Sequence, residues 1–260
     1  MDSSSIVLAG FIASACASVG TALGSLGVFF IQSLSRRLED GLLSLAAGIM
    51  LAATFFSLLL PSIEYGTALY ASDIAGALVA GAGVLVGAFL LFFIHQTVPH
   101  EHFVSGRDGA SDKQLARIWL FVIAITLHNF PEGLAVGVGF AGGEMANGLS
   151  LALGIGIQNV PEGLAVSVAL MSVGYSRTKS AAIGIASGLV EPVGGLLGAV
   201  AVSGAEVLMP WALAFSAGAM LFIISDEIIP ETHQNGNQNI ATFSLIIGFV
   251  VMMLLDIVLG

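Results

Sequence analysis

The chain is poor in charge. Charged residues make up 9% of its 260 residues, where an ordinary soluble domain carries about 25%. So few ionisable groups cannot cover a globule of this size, which excludes a soluble enzyme and a disordered chain. Lys and Arg total seven, too few and too scattered for a nucleic-acid surface. Cys16 is the one cysteine, so there is neither a disulfide framework nor a thiolate metal cluster. The N-terminus reads MDSSS before its first apolar run. It lacks the basic residues of a secretory signal, so that run is expected to remain as a membrane span.

Apolar residues are plentiful instead: 57% of the chain, with a mean hydropathy of +0.99. This composition reads as an all-α polytopic membrane protein. A transmembrane helix takes about 20 apolar residues, and eight apolar runs can be marked: 6–33, 41–63, 73–95, 115–141, 146–173, 180–203, 207–230 and 240–259. One transmembrane domain then covers residues 1–260. The polar stretch 96–114 is expected to be a mobile, His-containing loop. The 33 glycines suit helices that approach closely in lipid. Gly20/Gly24, Gly83/Gly87, Gly133/Gly137 and Gly184/Gly188 have the close-packing spacing and read as packing.

The basic residues test the eight-span parse. Arg36, Arg37, Arg107, Lys113, Arg117, Arg177 and Lys179 all fall at the 1–2, 3–4 and 5–6 connections. Eight spans put these connections on one side, which the positive-inside rule assigns to the cytoplasm. Both termini are then expected outside.

A repeat lies in the middle of the chain. Residues 128–136 read HNFPEGLAV and residues 158–166 read QNVPEGLAV, with seven of nine positions identical at an offset of 30. Consecutive spans run in opposite directions, so this is an expected inverted repeat. Facing repeats with helices broken at mid-membrane mark the binding site in many transporters. Pro131 and Pro161 each lack an amide donor and free a backbone carbonyl.

The net charge of −10 is an excess of acid in a chain that should avoid it. Five acids stand out inside the spans: Glu132, Glu162, Glu191, Asp226 and Glu227. Apart from Arg117 at the cytoplasmic edge of span 4, no Lys or Arg falls inside any span. A carboxylate at the bilayer centre is costly unless compensated, and the available partners are protons or a metal cation. At about 1.5 Å per residue, His128, Glu132, Glu162 and Glu191 all lie roughly 16–22 Å from the cytoplasmic edge. His128 and Glu132 share a face at i, i+4, as do Gln158 and Glu162, with Asn129 and Asn159 beside them. Imidazole with carboxylate suits zinc and other divalent first-row metals. Three carboxylates exceed the needs of one four-coordinate ion. The lack of thiolate suits a site that must release its ion.

Other groups carry weaker signals. Asp226 and Glu227 near the cytoplasmic end of span 7, with Asp40 at the start of span 2, outline an exit path. Asp40 reads equally well as an interfacial carboxylate. Met50 offers a soft ligand or a gate, although a Met in an apolar helix is more often packing. His95, His100 and His102, with Glu101, form a cluster suited to capturing metal, or stand there incidentally.

The paired HNFPEG and QNVPEG motifs, with Glu191-Pro192 following, resemble the ZIP (Zrt-, Irt-like) family of divalent metal transporters, closest to its bacterial, GufA-like members. The resemblance covers essentially the whole chain. It implies zinc uptake into the cytoplasm by alternating access, one helix bundle sliding against another. It implies a binuclear site. One metal would be held by His128, Glu132, Gln158 and Glu162, with Met50 contributing. The other would be held by Asn129, Glu132, Asn159, Glu162 and Glu191. Some members carry Asp at the place of Asn159. Asp226-Glu227 resembles the family's exit site, where some members have His-Glu. The expected cargo is Zn2+, with Fe2+, Mn2+ and Cd2+ compatible with the same donors. The expected partners are divalent ions and the lipid bilayer, with a homodimer as an open assembly state and no nucleic acid. The expected location is the plasma membrane, the inner membrane in a bacterium.

Two other classes compete. An intramembrane metalloprotease needs two His at i and i+4 with a Glu between them, and this chain offers only H-x-x-x-E. A serine protease finds no Gly-x-Ser-Gly. A proton-coupled carrier of a small organic substrate would use the carboxylates as relays. The Gly, Ala and Val at span centres give it little to grip.

Overall fold

A computed structural model describes residues 3–31, 33–97, 112–141, 145–203 and 206–259. It is helical, with eight helices long and apolar enough to cross a membrane among the described residues. They are α1 (Ser3–Phe29), α2 (Arg36–Tyr70), α3 (Asp73–Thr97), α4 (Asp112–Ala141), α5 (Met145–Ser172), α6 (Arg177–Ser203), α7 (Met209–His233) and α8 (Gln238–Leu259). Most of the expected loop 96–114 lies outside the described residues.

Polar residues at helix ends set the boundaries. The Ser35 hydroxyl accepts from the Leu38 amide at 3.2 Å and so caps α2. Ser176 does the same for α6 through the Lys179 amide, in the usual N-cap manner. Gly174 and Gly236 adopt φ of +89° and +82° in the α5–α6 and α7–α8 turns, a conformation that favours glycine.

The strongest helix pairs are α2 with α8, α4 with α6, α1 with α5, and α3 with α7. The contacts sort the helices into two groups of four: α1, α4, α5 and α6, then α2, α3, α7 and α8. Glycine sits at each pair. A Cβ on Gly24 would strike the Val160 carbonyl, one on Gly133 the Glu191 carbonyl, one on Gly48 the Leu245 carbonyl and one on Gly87 the Phe215 carbonyl. Large apolar side chains instead lie on the outer faces, among them Leu78, Leu85 and Phe89 on α3 and Phe243, Ile247 and Leu254 on α8. That distribution suits a surface solvated by hydrocarbon.

The prolines act differently from the expectation of broken helices. Helices α4 and α5 run unbroken through Pro131 and Pro161. The backbone is instead widened in α2 and α7. There π-helical turns at Thr54–Leu59 and Ile224–Ile228 precede Pro61 and Pro230. A π-bulge is one way to carry a helix past a residue with no amide donor. Asn147 on α5 donates to the Ser57 carbonyl at 3.3 Å, which is the carbonyl Pro61 cannot serve.

Candidate metal site

The repeated motif turns its polar side chains inward: Gln158 meets Glu132 between α4 and α5, Asn129 and Asn159 face α6, and His128 faces α7. His128, Asn129 and Glu132 on α4, Gln158, Asn159 and Glu162 on α5, and Glu191 on α6 are all buried. Each lies near the middle of its helix. Charged groups are almost never fully buried without a partner, so their surroundings decide what they do.

Some are held by other side chains. The Gln158 amide donates to Glu132 Oε1 at 2.5 Å. The Asn159 amide donates to both oxygens of Glu191, at 2.9 and 3.0 Å, and to the Ala17 carbonyl at 3.1 Å. Thr21 Oγ1 on α1 donates to Glu191 Oε1 at 3.3 Å. The Asn129 amide donates to the Ser187 carbonyl at 2.8 Å. These donations orient the two asparagine amides, because the reverse orientation would set oxygen against oxygen.

Other atoms have no partner. Ten buried side-chain polar atoms among the described residues lack any hydrogen bond, and seven of them belong to the motif: His128 Nδ1, Asn129 Oδ1, Glu132 Oε2, Gln158 Oε1, Asn159 Oδ1 and both oxygens of Glu162. Orphaned buried acceptors are rare in folded proteins, and each one calls for an explanation. Six of these seven are oxygens with lone pairs and no proton donor near them. The chemistry of the set is that of a divalent-cation ligand shell. Among the described residues, no three His, Cys, Asp or Glu side chains converge on one point. Glu132 and Glu191 are turned toward amides instead.

A cavity of about 720 Å³ opens below the site. His128, Leu127 and Glu162 line its inner end, while Arg36, Glu39, Glu231 and Asn235 line its mouth. Asp226 and Glu227 lie between. Glu227 Oε2 is 2.9 Å from His128 Nε2. The sequence reading set Glu227 in a separate lower group; the structure joins it to the imidazole. Asp40 also lines the cavity, but its carboxylate is engaged. Asn235 donates to one oxygen at 3.0 Å and Asn237 to the other at 2.8 Å. Met50 is fully buried on α2, which packs against α5. His95 falls in the last turns of α3, while His100, Glu101 and His102 lie outside the described residues.

Sequence reasoning missed several polar residues that the structure brings into contact with the site, its cavity or other helices. Thr21 is one; its signal was the polar stripe Ser14, Thr21 and Ser25 on an otherwise apolar helix. Glu39 and Glu231 at the cavity mouth are two more. Asp256 is a further acid inside the last apolar run. It accepts from Ser57 at 2.6 Å and from Ser150 at 3.5 Å.

Eight membrane-crossing helices around a buried acceptor cluster define a multi-pass membrane protein with a core suited to a cation. Comparison with known proteins names the family. Residues 100–256 match the family described as ZIP Zinc transporter. The chain is 44% identical to the zinc transporter GufA of Myxococcus xanthus, over 97% of this chain and 99% of that protein. It is 43% identical to the zinc transporter ZIPB of Bordetella bronchiseptica, over 92% of this chain and 78% of that protein. The human zinc transporter ZIP11 is 36% identical over 92% of this chain and 94% of its own length. The chain belongs to the ZIP family, whose members are transport proteins rather than enzymes.

Proposed function

We propose that this chain carries zinc across a membrane through the site between α4 and α5. The observation that carries the reading is the cluster of seven orphaned acceptors on six motif residues. His128, Glu132, Gln158 and Glu162 form the first metal position, and Met50 on the facing helix α2 adds a soft ligand or gate. Asn129, Asn159 and Glu191 border a space beside it that a second ion, bridged by the two motif glutamates, would need. The first position has the larger share of unpartnered atoms. Fe2+, Mn2+ and Cd2+ share its donor preference, so selection rests on geometry and supply.

The cavity below supplies the exit. Glu227, in contact with His128, receives the ion first, and Asp226, Glu39 and Glu231 line its way out. Asp40 works through the loop it anchors. The basic connections at Arg36, Arg177 and Lys179 support a cytoplasmic mouth under the positive-inside rule. The termini then face outside, and transport into the cell runs down through the cavity. The two helix groups are the bodies that move during alternating access, with the motif pair as an inverted repeat within the group of α1, α4, α5 and α6. His95, His100 and His102 are capture groups for released metal. The plasma membrane is the location, with a homodimer as the assembly to be tested. An organic substrate is disfavoured, because the unpartnered oxygens of the motif suit a cation.

Zinc uptake into proteoliposomes tests the reading. Glu132→Ala and Glu162→Ala are expected to lose uptake. Parent-like uptake by both variants would overturn it.

A further inference from the structure

The second metal position differs from the first in how its acid is held. Glu162 has two oxygens with no partner. Glu191, equally buried, has none free. Asn159 Nδ2 lies 2.9 and 3.0 Å from its two oxygens, and Thr21 Oγ1 lies 3.3 Å from one of them. The amide is locked in this orientation by its third contact, to the Ala17 carbonyl at 3.1 Å. A donor straddling both oxygens of a carboxylate stands where a cation chelated by that carboxylate would stand. Ligation by Glu191 would require breaking these charge-assisted hydrogen bonds, which are among the stronger kind.

Charge points the same way. Glu132, Glu162 and Glu191 supply three negative charges at this level. One divalent ion between Glu132 and Glu162 neutralises those two. Glu191 then keeps the partial positive charges of the amide and hydroxyl. A second divalent ion would leave the buried site with net positive charge. An aspartate at 159 would remove the straddling donor and add a fourth negative charge, enough to balance two divalent ions. No backbone change is needed, because Asn and Asp have the same shape.

We propose that Asn159 makes this a one-metal site, its amide occupying the place of a second divalent ion on Glu191, with Thr21 holding the same carboxylate from α1. This inference rests on the ligand assignment made above for His128, Glu132, Gln158 and Glu162. Asn159 then acts as a positioning residue that sets stoichiometry rather than as a ligand.

Crystals of the full chain soaked in cadmium chloride, with anomalous diffraction, test it. The parent is expected to show one peak between α4 and α5. Asn159→Asp is expected to show two, about 3.5–4 Å apart as in other two-metal sites. Two peaks at that level in the parent would overturn the inference while leaving the ligand assignment standing. So would a single peak in a folded Asn159→Asp. No peak there in either protein would overturn the ligand assignment and the inference together. If Asn159→Asp does not fold, the parent decides alone, since two peaks refute the proposal and one upholds it. Peaks in the cytoplasmic cavity are separated by position and do not enter the count.

Discussion

The two copies of the motif share seven of nine residues, yet the structure uses them unequally. In the first copy, His128 reaches across to Glu227 on α7, and Asn129 donates to a backbone carbonyl on α6. In the second, Gln158 turns inward to Glu132, and Asn159 clamps the Glu191 carboxylate. The glutamates diverge as well. Glu132 has one oxygen engaged, whereas Glu162 has neither. Identical residues thus acquire different roles because α4 packs on α6 while α5 packs on α1. The difference teaches that a duplicated motif specifies the donor set, and its neighbours specify what each donor does.

The largest effect is expected at the least engaged acid. Glu162→Gln should reduce zinc uptake by more than about 100-fold, since outer-shell partners of a metal ligand alone cost about 10–100-fold. Glu132→Gln should reduce it less, because Gln158 already shares that side chain. Uptake rates in proteoliposomes, measured side by side, check the order. Equal losses would erase the asymmetry between the two copies.

The motif glycines give the next test. Gly133 lies against the backbone of Glu191 and Gly163 against the backbone of Thr21. Each glycine therefore seats one partner of the Thr21–Glu191 contact. A methyl group at either would force backbones apart, at about 1–3 kcal/mol for overpacking. Thermal unfolding in detergent should show both Gly133→Ala and Gly163→Ala several degrees below the parent. Gly81→Ala on α3, where an added Cβ meets nothing within 4 Å, should leave the midpoint unchanged.

Much of this was legible in the chain itself. Eight apolar runs, glycine pairs and the one-sided distribution of Arg and Lys all follow from the cost of burying charge and backbone in lipid. The six motif residues and Glu191 stood out because a carboxylate inside a span demands a reason. What could not be read was which atom meets which. Nothing in the spacing says that Asn159 would face Glu191 while Asn129 faces a carbonyl, because that depends on the rotation of α6 against α4. Asp40 looked like an exit ligand, but its two amide donors lie 195 and 197 residues away. Asp256 escaped notice as a single acid near the end of an apolar run, and its partner Ser57 is 199 residues away. The unbroken passage of α4 and α5 through their prolines also escaped local reasoning, since tertiary packing overrides the usual penalty.

A swap at the head of the motif sharpens the comparison further. His128→Gln makes the first copy read like the second. It removes the imidazole and its contact with Glu227 while keeping a buried amide. Zinc uptake should fall by about 10–100-fold, less than for Glu162→Gln because the new amide still offers a ligating oxygen. The loss should be smaller for manganese, which prefers oxygen donors. Competition between the two metals in the same vesicles measures the change. An unaltered zinc-to-manganese ratio would remove His128 from the ligand set.

The smallest effect belongs to Asn129. Its amide donates to the Ser187 carbonyl and to no acid, so Asn129→Ala removes one buried hydrogen bond, worth about 1 kcal/mol. Stability should drop by that order, and the number of metals at the site should stay that of the parent. Asn129→Asp separates the copies most cleanly. Where an aspartate at 159 relieves the clamp on Glu191, an aspartate at 129 sets a carboxylate against the Ser187 carbonyl with no donor between them. It should lower the unfolding midpoint more than Asn129→Ala does, and it should recruit no second ion. If it recruits one, the amide at 159 is not what limits the count, and the two asparagines are equivalent after all.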